Sequence, residues 1–158
     1  MDKPRSARLR RGLVAAAAAV LGTFILMPGT ASAAGTGAIT GYGGKCVDVS
    51  GANTANGTKV QLWTCNGTNA QSWTVGTDGT IRALGKCLDV SSGSTADGAK
   101  VQLWDCNGSA AQNWSRPGDG SIRALGKCLD ASNNSSANGT RLQIWDCAGS
   151  ANQKWTVA

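Results

Sequence analysis

The chain has 158 residues, with 15 Lys and Arg against nine Asp and Glu, six cysteines, six tryptophans and no histidine. The missing histidine excludes the usual Ser-His-Asp and Cys-His relays. A formal charge of +6 does not point to nucleic acid, because five basic residues (Lys3, Arg5, Arg8, Arg10, Arg11) crowd the start and the others are scattered without a basic stripe.

The first element in chain order is a leader. "MDKPRSARLRRG" is basic, "LVAAAAAVLGTFILM" is an apolar run of 15 residues, and "PGTASAA" ends it with the small-residue pattern Ala31-Ser32-Ala33. That layout predicts a secretory signal peptide over 1–33, cut near Ala33. The run is shorter than the roughly 18 to 20 apolar residues of a spanning helix, so no membrane insertion of the mature chain is expected. Arg10-Arg11 fits general or twin-arginine export. Cutting after residue 33 leaves 125 residues with ten basic side chains, eight aspartates and no glutamate, enough for one secreted domain. Residues 34–37 read as a short linker, and "AITGY", 38–42, as a strand.

From Lys45 onward one unit is repeated three times. Cysteines stand at 46, 65, 87, 106, 128 and 147, so every pair is spaced by 19 and every copy by 41. "GKCVDVS", "GKCLDVS" and "GKCLDAS" open the copies; "KVQLWTC", "KVQLWDC" and "RLQIWDC" lie in the middle; Gln71-Ser72-Trp73, Gln112-Asn113-Trp114 and Gln153-Lys154-Trp155 come near the end. Such ungapped periodicity is stronger than any single motif. The copies run approximately over 45–85, 86–126 and 127–158. Six cysteines allow many pairings, of which three respect the repeat; the simplest closes each copy on itself, Cys46 to Cys65, Cys87 to Cys106 and Cys128 to Cys147. An exported chain meets the oxidising compartment that this needs. Without Cys-x-x-Cys or histidine no metal is expected, nor any other cofactor.

Within a copy, apolar residues alternate in short runs. In "KVQLWDC", Val101 and Leu103 fall on one face and Gln102 and Trp104 on the other, which is strand periodicity. Asn56-Gly57, Asp97-Gly98 and Asn138-Gly139, then Asp78-Gly79 and Asp119-Gly120, supply the turns. Four strands are predicted per copy, near 45–49, 59–64, 72–75 and 80–84 in the first. The chain stops at Ala158 before a fourth strand of the third copy, and 38–44 is expected to complete it.

Three four-stranded units predict an all-β fold with pseudo-threefold symmetry. The cysteine pairs, Gln-Leu-Trp (Gln-Ile-Trp in the third copy) and Gln-x-Trp, recurring over nearly all of 38–158, resemble ricin B-chain-type lectins and family 13 carbohydrate-binding modules. The resemblance implies a β-trefoil that binds sugar. It places Trp73, Trp114 and Trp155 in the core. Trp63, Trp104 and Trp145, opposite the core-facing row, suit stacking on the apolar face of a pyranose. Asp48, Asp89 and Asp130 fall where the family's carboxylate grips sugar hydroxyls; their other reading is as caps of a turn through backbone N–H groups. In the resembled lectins an asparagine precedes the Gln-x-Trp glutamine at a working site, and an amide can both donate and accept. Asn152 stands there in the third copy, Ala70 and Ala111 in the others. The third site, with Asp130, Trp145, Asn152 and Gln153, is therefore expected to be strongest. The first two, Asp48, Trp63, Gln71 and Asp89, Trp104, Gln112, are expected to be weaker, with Asn69 as a substitute in the first and Asn66 and Asn107 as rim contacts.

Catalysis is not expected. Glycosidases generally set two carboxyls about 5 to 9.5 Å apart, whereas these eight aspartates are repeat-equivalent or lie in turns. The expectation is a secreted monomeric lectin without catalytic residues, binding galactose- or xylose-type glycans of a polysaccharide or glycoconjugate. The alternative is a β-trefoil that binds or inhibits a protein, its sugar pockets vestigial.

Overall fold

A computed structural model describes residues 35–158; the leader and its cleavage point lie outside the described residues. Its strands in chain order are β1 (Gly35–Gly37), β2 (Ile39–Thr40), β3 (Cys46–Val49), β4 (Thr58–Trp63), β5 (Trp73–Val75), β6 (Ile81–Ala83), β7 (Lys86–Val90), β8 (Ala99–Trp104), β9 (Arg123–Ala124), β10 (Lys127–Ala131), β11 (Leu142–Trp145) and β12 (Thr156–Val157). No α-helix occurs among the described residues.

Each copy opens on an antiparallel hairpin in one shared register. Cys46 lies opposite Trp63 and Asp48 opposite Gln61; Cys87 and Asp89 face Trp104 and Gln102; Cys128 and Asp130 face Trp145 and Gln143. The three hairpins close into a barrel, since β4 pairs β8, β8 pairs β11 and a Gln61–Arg141 bridge joins β11 back to β4. Period-2 alternation decides what each face meets. Val47, Val49, Val60 and Leu62 point into the barrel and are fully buried, as are their counterparts in the other copies. Asp48, on the opposite face of β3, is also buried, which means something covers the outside of the hairpin as well.

The cover is the chain after each hairpin. It passes through short 3-10 turns at Asn69–Gln71, Ala110–Gln112 and Ala151–Gln153 and then places a tryptophan across the end of the barrel. Trp73, Trp114 and Trp155 are buried. Their indole N–H groups donate to Val47 O at 2.8 Å, Leu88 O at 2.9 Å and Leu129 O at 3.0 Å, satisfying the one polar atom that burial would otherwise penalise. Disulfides close each copy on itself, Cys46–Cys65, Cys87–Cys106 and Cys128–Cys147. Loops of about 20 residues each contribute roughly 3 kcal/mol on the chain-entropy account.

The second hairpins differ between copies. In the first, β5 pairs β6 and Gly76 N donates to Thr80 O at 2.8 Å. In the second copy the equivalent residue is Pro117, which has no N–H, and the third strand shrinks to a Ser115–Arg123 bridge. In the third, β12 pairs β2, Thr156 opposite Thr40 and Val157 opposite Ile39, so the two ends of the domain are joined. One expectation needs correcting: residues 35–37 are not a linker but β1, paired with β5 and tied by Thr36 Oγ1 to Thr74 Oγ1 at 2.7 Å. Gly-Thr-Gly carries no apolar alternation, so a strand held mainly by backbone bonds leaves no trace in hydrophobic pattern.

Candidate functional site

The hairpin register brings an aspartate and a glutamine together across two strands, and the 3-10 turn brings a second glutamine over them. Gln61 Nε2 donates to Asp48 Oδ1 at 3.0 Å, Gln71 Nε2 to Asp48 Oδ2 at 3.1 Å. The second copy repeats this with Gln102 at 2.9 Å and Gln112 at 3.0 Å on Asp89. In the third copy Gln143 and Gln153 hold Asp130 at 3.0 Å each, and Asn152 Nδ2 adds another donor to Oδ2 at 2.8 Å. Asp130 is thus fixed by three side-chain amides, Asp48 and Asp89 by two. None of these carboxylates caps a turn through backbone N–H groups; their partners are side-chain amides.

Both amide hydrogens of Asn152 are used. Its second Nδ2 contact goes to Ala131 O at 3.2 Å, and its Oδ1 accepts from Ser150 Oγ at 2.7 Å. Its amide therefore reaches the cavity mainly by orienting the acid. Gln71, Gln112 and Gln153 take a similar part. Each Nε2 also donates to a backbone carbonyl, of Thr64, Asp105 or Asp146, at 2.9 to 3.0 Å, and each Oε1 accepts from the backbone N–H of Asn66, Asn107 or Ala148. These glutamines, expected as contact residues, are deeply buried with both amide hydrogens spent. They brace the carboxylates.

Beside each aspartate stands an exposed indole: Trp63 at 39%, Trp104 at 38% and Trp145 at 43% relative exposure. Large apolar rings left in water on an otherwise well-packed domain ask for a partner. Asp and Trp share an open concavity in every copy, of about 570 Å³ in the first, 540 Å³ in the second and 380 Å³ in the third. The third rim carries Asn133, Asn134 and Ser150. Asn66 and Asn107 line the first and second concavities. Asn69 does not substitute for the missing asparagine: it is exposed on the turn and outside the lining, because the residue directed inward there is Ala70.

Two contributors escape sequence reading. Gln61, Gln102 and Gln143 are placed by cross-strand register, although their sharing a strand face with the tryptophans was a usable signal. The other is the neighbouring copy, whose Asx-Gly turn lies beside the indole. A Cβ on Gly57 would sit 3.8 Å from the Trp104 ring, and one on Gly98 3.6 Å from the Trp145 ring. The turns are latched there: Asn56, Asp97 and Asn138 Oδ1 each accept the backbone N–H of Asp105, Asp146 and Thr64 at 2.9 Å.

The model of the family described as ricin-type beta-trefoil lectin domain matches residues 35–155. The chain belongs to that family. This ricin-type domain is a carbohydrate-binding fold, and sugar binding in general is its function. Its fold is similar to that of an agglutinin from Abrus precatorius, with 33% identity and a TM-score of 0.72 over 78% of this chain and 48% of that one. It is also similar to a non-toxic homologue of type II RIPs from Momordica charantia (bitter gourd), in complex with alpha-methyl-D-galactoside: 34% identity, TM-score 0.70, 77% of this chain and 46% of that one. The earthworm R-type lectin C-half in complex with GalNAc gives 25% identity and a TM-score of 0.64 over 77% of this chain and 95% of that one. The ricin-type chain thus spans about half the length of the Abrus and Momordica proteins. Comparison with curated proteins finds no match.

Proposed function

We propose that this is a secreted, non-catalytic lectin whose third-copy pocket is its strongest site for galactose- or xylose-type sugars, exported by a leader removed near Ala33. A pyranose would lay its C–H face on the Trp145 indole and donate hydroxyl hydrogens to the Asp130 carboxylate. The observation that carries this is the third amide on Asp130, from Asn152 at 2.8 Å. A carboxylate already aimed by its neighbours loses less freedom when a ligand binds, and charge-assisted bonds from adjacent hydroxyls are the stronger kind. Asp48 and Asp89 have one brace fewer and bind more weakly in this reading. The galactoside and GalNAc named with two of the similar structures support the galactose class.

Open pockets of this kind hold one sugar loosely. Copies spaced around a threefold axis gain by engaging one polymer together, with avidity up to about 10² to 10⁴ over a single site where the span permits. The test is Asn152→Ala titrated with methyl galactoside and with xylobiose. Losing one oriented charged hydrogen bond should weaken the third site roughly tenfold, given about 1.5 kcal/mol for such a bond. An affinity at Trp145 that does not move would remove the ranking of the sites.

A further inference from the structure

Lys59, Lys100 and Arg141 are equivalent positions, two residues before the glutamines of the pocket floor and four before the platform tryptophans. Strand alternation puts all three on the pocket side, yet among the described residues only Lys59 lines the concavity of its own copy. Lys59 lines the first concavity with Asp48, Gln61 and Trp63. Its ammonium donates to the Gly139 carbonyl at 3.2 Å. Gly139 belongs to the third copy's Asn138-Gly139 turn and lines the same concavity, so a neighbouring repeat moors the charge at the rim. Lys100 is exposed and outside the second lining; Arg141 is outside the third.

The three pockets therefore differ in charge. Among the described residues Asp89 and Asp130 are the sole charged groups lining the second and third, and a lone carboxylate repels an acidic ligand. In the first, Lys59 offsets Asp48, and Lys59 forms no salt bridge among the described residues. An ammonium has three donors; the Gly139 carbonyl takes one, leaving two for a ligand. We infer that the first-copy pocket takes a uronic-acid sugar, the ring stacked on Trp63 and the carboxylate paired with Lys59, an assignment that rests on the sugar-binding reading above. The chain then carries two specificities, with neutral sugar in the third copy and acidic sugar in the first.

Titration of the full domain with methyl galactoside and, separately, methyl galacturonide tests this, following the indole N–H resonances of Trp63, Trp104 and Trp145. At Trp63 the galacturonide should bind about 1.4- to fivefold more tightly than the galactoside, the range of an exposed ion pair. Trp104 and Trp145 should show no such preference. Added salt should shrink the ratio at Trp63, Lys59→Gln should abolish it, and Lys100→Gln should leave it in place. Equal or weaker galacturonide binding at Trp63, or a preference that survives Lys59→Gln, overturns the inference. If shifts at Trp104 and Trp145 persist in that case, the sugar reading stands and this one alone fails. If neither sugar moves any of the three indoles, both fall together.

Discussion

At the scale of single residues the site is built from an acid that is buried before any ligand arrives. Asp130 is 4% exposed and accepts from Gln143, Gln153 and Asn152. Its charge is tolerated in the fold because those amides replace water. The braces accept no second donor from the acid, so Asp130→Asn is a sharp test of how the carboxylate is held. An amide there must turn its NH2 toward either Gln143 or the Asn152 and Gln153 pair, setting donor against donor. The loss should be about 1 to 3 kcal/mol of unfolding free energy, the cost of a buried polar group left without its partner, read as a lower urea midpoint. An unchanged midpoint would mean that the amides do not depend on the charge. Asn152 is also where sequence and structure differ most usefully. Its presence in one copy is plain from the repeat, but its action through Asp130 and Ala131 is not, because those contacts cross 21 to 22 residues.

At the scale of elements, legibility followed the physics of each strand. "KVQLWDC" displays its two faces because one packs on the core and the other carries Gln102 and Trp104. The cysteine spacing announces the repeat, and the tryptophans of Gln-x-Trp announce the cap. Beyond that the pattern thins: β1 is Gly-Thr-Gly, the second copy's third strand is lost to Pro117, and the inter-copy turns depend on barrel closure. Gly41 is a further case. It stands between β2 and β3, where a Cβ built on it would lie 2.2 Å from the Trp155 ring. The third copy's cap packs closely against the segment that completes it. Gly41→Ala should destabilise the domain by about 1 to 3 kcal/mol through overpacking, and the Trp155 indole N–H should show weakened hydrogen-exchange protection. A melting temperature equal to the parent's would show that the ring has room to retreat.

At the scale of the whole molecule, charge serves mostly to latch copies and turns. Lys127 Nζ bridges Asp97 of one copy at 2.7 Å and Asp146 of the next at 2.5 Å; Lys86 pairs with Asp105 and with Asn56 Oδ1 at 2.9 Å. Inside the hairpin turns, Asp119 accepts from Ser121 Oγ at 2.5 Å and from Arg123 at 2.6 Å, and Asp78 is held the same way by Thr80 and Arg82. These contacts lower the pKa of Asp119, Asp78, Asp97 and Asp105. The Ser121 hydroxyl and backbone N–H, with Arg123 beside them, bring Asp119 down to about 2; Thr80 lowers Asp78, Lys127 lowers Asp97 and Lys86 lowers Asp105. Each group binds its proton less readily folded than unfolded, where the ordinary value is 3.8. Their contribution is therefore complete above that value and is lost as pH falls from it toward about 2. Lys127 runs the other way: raised above 10.5 by Asp146 first and Asp97 next, it contributes below that pH and loses its hold only in stronger alkali. The chain has no histidine, the side chain whose ordinary value falls in the neutral range. Thermal melts should be level between about pH 5 and 8 and fall on the acid side below about 4, with Asp119→Asn blunting the lowest part of that limb. A melting temperature that declines already near pH 6, or one that holds level down to pH 2, would contradict the assignment of acid stability to these latches.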